Sequence, residues 1–143
     1  MFAQDHSGTS DQPIVFREED NVRVEAADEA IDAEAALELP LDLIRAGNQL
    51  IVRAPIVGAG IHDITITVSG NQLTIHKNST TEEAEREEYP YVQECHWGAL
   101  SRTISLPKPV DPNRTRASLH DGILTVVMPI VAKSHTQVIR IEE

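Results

Sequence analysis

Cysteine, positive charge, aromatic side chains and long hydrophobic runs are all scarce in this chain, and the first shortages each remove a class of protein. Cys95 is the sole cysteine of 143 residues, so no intramolecular disulfide can form and a reducing compartment is expected. Lys and Arg number 12 against 23 Asp and Glu, a net charge of −11, which leaves no clustered cations to neutralise nucleic-acid phosphates. No apolar run approaches the ~18 residues that span a bilayer, and Met1 to Ser10 lacks the basic and apolar regions of a signal peptide. The expectation is a soluble cytoplasmic protein with neither nucleic acid nor membrane as partner. Asn78-Ser79-Thr80 and Asn113-Arg114-Thr115 then match glycosylation sequons by chance.

Catalytic signatures are missing too. There is no Gly-x-Ser-x-Gly elbow, no phosphate-cradling glycine loop and no His-Glu-x-x-His helix. Cys95 and His96 are adjacent, and neighbours on a strand point to opposite faces, so they make no nucleophile and base pair. His6, His62, His76, His96, His120 and His135 are scattered without ligand spacing. No catalytic residue, cofactor or metal site is expected. Cys95 reads as a half-buried small hydrophobe, with an intersubunit disulfide as the redox alternative.

What the chain does have is period-two hydrophobicity. Leu41, Leu43, Leu50 and Val52 alternate with polar neighbours across Ala46-Gly47-Asn48, a first hairpin. Pro55 to Gly60 is a glycine-bearing loop, after which Ile64, Ile66 and Val68 alternate with threonines, and Leu73 and Ile75 return after Ser69-Gly70-Asn71. Arg102 shares its side of a strand with Leu100, Ile104 and Leu106, so its guanidinium needs a carboxylate or carbonyls, unless it snorkels at a sheet margin. Arg116 to Leu119 alternates again. Asp121-Gly122 is a hairpin signal because both central positions of a type I′ turn need positive φ, and Ile123 to Met128 is β-rich up to Pro129. One domain with a core fits this length.

Both ends differ from the middle. Residues 1 to 39 carry 11 acidic and 2 basic side chains. Residues 1–38 are predicted to be an acidic arm, disordered or transiently helical, because Glu25 to Leu39 is rich in Ala and Glu but thin in apolar bulk. Thr80 to Glu88 reads as a solvated acidic loop. It leads into Tyr89, Tyr91, Val92, Cys95 and Trp97, a stretch that gathers three of the five aromatics within nine positions. At the far end, Ile139 and Ile141 sit two apart, so a strand presents both on one side.

Ala117, Gly122 and Leu124 in this spacing, the Leu106-Pro107 and Val110-Asp111-Pro112 steps and the later Ile139-Arg140-Ile141 resemble the small heat shock protein (Hsp20, α-crystallin) family. Gln93, Glu94, Cys95, His96, Trp97 and Gly98 are similar to a segment of its bacterial members. The resemblance implies an all-β, immunoglobulin-like antiparallel β-sandwich over residues 39–131, the α-crystallin domain, with a flexible N-terminal arm and a short C-terminal tail, 132–143. It implies an ATP-independent holdase chaperone that is not an enzyme, acting as a homodimer and higher oligomer on unfolded client proteins. Tyr89, Tyr91, Val92, Cys95 and Trp97 would form a strand exchanged between subunits, with Arg102 at that interface; an ordinary intramolecular hairpin is the alternative. Ile64, Ile66, Val68, Ala117 and Leu119 would line a groove that Ile139 and Ile141 plug on a neighbour, with Gly122 and Leu124 marking the signature turn. Ile130 to Val138 spans about 30 Å when extended, enough to reach a neighbour; the alternative has the two isoleucines extending the domain's own sheet. The acidic, aromatic-poor arm and the loose Pro55-Ile56-Val57-Gly58-Ala59 loop depart from the family pattern. A p23-type co-chaperone module and a generic adhesion or ligand-binding sandwich are the rival readings.

Overall fold

The structure, a computed structural model, describes residues 14–26, 36–79 and 87–131. Two sheets of five strands face each other. The first runs in the order β1 (Asn21–Val22), β9 (Arg116–His120), β10 (Ile123–Pro129), β5 (Gln49–Pro55) and β4 (Asp42–Ala46). The second runs β2 (Val24–Ala26), β6 (Ile64–Val68), β7 (Gln72–Lys77), β8 (Leu100–Ser105) and β3 (Leu37–Glu38). Every pairing is antiparallel except the short edge pairs β2 with β6 and β3 with β8. The expected β-sandwich is therefore present, with parallel pairing confined to its margins.

The alternation read from the sequence explains the core. Register places Val52, Val126 and Ala117 side by side on the inner face of the first sheet, and Ile66 and Ile75 on the inner face of the second. Leu50, Val52, Ile66, Leu73, Ile75, Leu124, Val126 and Met128 are buried between them. On the opposite face of the second sheet Thr67, Thr74 and Thr103 lie in one row, with the Thr74 and Thr103 hydroxyls 3.2 Å apart.

The turns have the geometry their residues favour. Asp121 and Gly122 have φ of 51° and 76°, the two positive values a type I′ hairpin requires. Gly47 has φ of 60° at the first position of the two-residue loop between β4 and β5, where a type II′ turn takes glycine. Pro55, expected in a loop, instead ends β5 opposite Ile123, and the Ile56 amide donates to the Gly122 carbonyl at 2.7 Å.

Part of the N-terminal arm departs from expectation. Residues 18–20 form a 3₁₀ turn and residues 21–26 contribute β1 and β2, where disorder or transient helix was expected. Two unpaired sheet edges offer backbone partners that a composition reading does not see. Residues 27–35, most of the expected transient helix, and residues 80–86 of the acidic loop lie outside the described residues.

Candidate functional site

The five groove residues come together where the sheets meet along one side. Ile64, Ile66 and Val68 point inward from β6, and Ala117 and Leu119 point inward from β9. All five are buried in the core between the sheets, and residues 21–26 lie along this side. Asn21 and Val22 pair antiparallel with Ser118 and Ala117. Val24, Glu25 and Ala26 then pair parallel with Ile66, Thr67 and Val68. The segment crosses from one sheet to the other at Arg23. Val22 is 5% exposed and joins the core, Val24 packs against it, and the Arg23 side chain is 86% exposed, 3.6 Å from Glu25. Ile139 and Ile141, the expected plug, lie outside the described residues.

The chain leading into this segment is held on the outer surface of β9. The Arg116 guanidinium lies 4.3 Å from the centre of the Phe16 ring. His120 bridges two carboxylates, with Nδ1 3.2 Å from Asp20 and Nε2 3.2 Å from Asp121. Ser118 faces away from the core yet is buried, for Ile14 and Val15 line the same depression.

The expected exchange segment stands apart from both sheets. Residues 87–99 contain no strand. Tyr89, Tyr91 and Val92 are 95%, 103% and 75% exposed, and Trp97 is exposed as well. Cys95, expected half-buried, is exposed because this segment packs on neither sheet. Its C-terminal end is anchored: Lys77 Nζ donates to the Gly98 carbonyl at 3.4 Å, and His96 Nε2 lies 3.0 Å from the Ala99 carbonyl. The His96 ring folds so closely over Gly98 that a Cβ there would lie 2.8 Å from the ring.

Arg102 has the partners its register demanded. Its Nη1 donates to the Leu39 carbonyl at 3.2 Å, and its Nε sits 3.5 Å from the Glu38 carboxylate. Glu38 belongs to β3, which is fixed on β8 by the Leu37 amide on Ala99 and the Leu39 amide on Ser101. Among the described residues, no three His, Cys, Asp or Glu side chains are placed to hold a metal ion, and no helix is long and apolar enough to cross a membrane.

The role of residues 21–26 escaped the sequence reading. The signal was Val22-Arg23-Val24, which repeats the spacing and the central arginine of Ile139-Arg140-Ile141.

Comparison with known proteins gives a consistent result. Residues 42–142 match the Hsp20/alpha crystallin family. Spore protein SP21 of Stigmatella aurantiaca is 33% identical over 79 residues, 55% of this chain and 47% of that protein. Heat shock protein 16 of Schizosaccharomyces pombe is 38% identical over 72 residues, 50% of this chain and 47% of that protein. The matches thus span about half the length of these relatives. Among solved structures, heat shock protein 16.0 of Schizosaccharomyces pombe aligns with a TM-score of 0.63 and 26% identity over 78% of this chain and 80% of that one. A small heat-shock protein of Xylella fastidiosa shares the fold, with a TM-score of 0.60 and 24% identity over 76% of this chain and 100% of that one.

Proposed function

The chain belongs to the Hsp20/alpha crystallin family, and from that premise we propose that it is an ATP-independent holdase, which binds unfolding proteins and limits their aggregation as a homo-oligomer of dimers. This is a family of non-enzymatic chaperones. The observation that carries the reading is the run from Tyr89 to Trp97, whose large apolar side chains stand in solvent beside a backbone that joins neither sheet. Such a segment is stable when it adds to a sheet edge of a second copy. Among the described residues, β4 ends the first sheet and has only β5 beside it, so its outer edge suits that addition. Arg102 would lie at the resulting interface, and the exposed Cys95 thiol suits a reducing, cytoplasmic setting.

Higher assembly would follow from Ile139 and Ile141 of one copy entering the groove of another between β6 and β9. Burying two isoleucines is worth about 3–6 kcal/mol before entropy costs, small enough to stay exchangeable. Unfolding clients would use the apolar surfaces that exchange uncovers.

Light scattering on the full chain, with and without Ile139→Ser plus Ile141→Ser, tests this reading alongside suppression of heat aggregation of a model client. The wild type is expected to be oligomeric and protective, and the double variant smaller. A monomeric wild type that leaves the client aggregating overturns the holdase reading. A double variant of unchanged size overturns the tail contact alone.

A further inference from the structure

Residues 21–26 use the groove as a ligand would. They bring backbone groups to both sheet edges, with Val22 against Ala117 on one side and Val24 against Ile66 on the other. Of two aliphatic side chains two residues apart, Val22 enters the core and Val24 packs against it half-buried, while the arginine between them turns to solvent. Ile139-Arg140-Ile141 has the same pattern with one more methylene on each aliphatic side chain. The pairing is also short: two residues on β9, three on β6 and a crossing between them. The contacts that hold the preceding chain, Phe16 against Arg116 and Asp20 against His120, lie on the surface rather than in the core.

We infer that Val22-Arg23-Val24 is a releasable internal occupant of this groove. The site it fills recognises extended segments that present two aliphatic side chains two residues apart, and the Ile139-Arg140-Ile141 tail of a second copy is the competing ligand. The inference rests on the proposed tail contact and adds that the groove is closed in the isolated chain. Tail binding therefore requires the N-terminal segment to leave, and the fraction of chains with an open groove scales the apparent tail affinity.

The test is fluorescence anisotropy of a labelled peptide of residues 132–143 titrated with the full chain carrying Ile139→Ser and Ile141→Ser, which silences its own tail. Adding Val22→Ser and Val24→Ser should tighten peptide binding about ten-fold if the segment fills the groove in about nine chains of ten. Adding Val24→Ile instead keeps the segment apolar and should weaken peptide binding about four-fold, the worth of one buried methylene. Equal affinity across the three chains overturns the internal-occupant inference and leaves the tail contact standing, and so does any change of the opposite sign. No peptide binding to any of the three overturns both. Circular dichroism checks that the serine variant keeps its sheets, and the isoleucine variant decides the matter alone if it does not.

Discussion

Arg102 and Leu39, 63 positions apart, are joined by a hydrogen bond of 3.2 Å from the guanidinium to the main-chain carbonyl. Leu39 is fully buried, so removing the donor strands its carbonyl beside the core. Arg102→Ala should destabilise the fold by about 1–3 kcal/mol. Arg102→Lys should cost less than that but more than nothing, because one ammonium cannot serve both the Leu39 carbonyl and the Glu38 carboxylate. Glu38→Gln, at a side chain 76% exposed, should cost under about 1 kcal/mol. Urea unfolding at one fixed protein concentration measures all three, and an Arg102→Ala loss no larger than that of Glu38→Gln would show the carbonyl contact to be idle.

The turn between β9 and β10 gives a second prediction. Gly122 has φ of 76°, and an added Cβ would lie 3.4 Å from the Ile56 carbonyl. Gly122→Ala should cost about 1–2 kcal/mol from backbone conformation alone, whereas Gly122→Asn should cost less because asparagine tolerates this region better. At Asp121, also at positive φ, a β-branched replacement such as Asp121→Val should be worse than Asp121→Asn. The ranking of urea midpoints checks the turn type without any assumption about assembly.

Local chemistry and long-range pairing were unequally legible in the sequence. Asp121-Gly122 and the alternation of Ile64, Ile66 and Val68 announce their structure because a turn or a strand face is decided by residues a few positions apart. The placement of the core followed from the same alternation. Arg102 announced a need, and the Leu39 carbonyl that meets it depends on where β3 settles on β8. Val22-Arg23-Val24 is too short to show a period, and its acidic surroundings read as a solvated arm, yet two open sheet edges give it a place. The segment from Tyr89 to Trp97 shows the converse: its composition asks for burial, and the described residues of a single chain leave Tyr89 and Tyr91 in solvent.

Core packing supplies a third prediction. Leu124 is wholly buried within the cluster that joins both sheets, so Leu124→Ala should cost about 2–5 kcal/mol through lost transfer energy and the cavity left behind. Val57 is 73% exposed, and Val57→Ala should change stability by no more than about 0.5 kcal/mol. A Leu124→Ala variant as stable as the Val57→Ala control would contradict the burial assigned to the signature leucine.

The exposed segment separates folding from association. Tyr91 and Val92 are 103% and 75% exposed, so Tyr91→Arg plus Val92→Arg should leave thermal unfolding of the sandwich within about 0.5 kcal/mol of wild type at matched association state. If these side chains are buried against the β4 edge of a second copy, the same substitutions place two guanidiniums in an apolar contact without partners and should dissociate the dimer. Light scattering should then give the mass of one chain where the wild type gives at least two. Protection of a heat-denatured client should fall with it if the dimer is the active unit. A dimer that survives both arginines would move the interface away from Tyr89 to Trp97 and leave their exposure to be explained by direct contact with clients, in which case protection, and not mass, is what the substitutions should reduce.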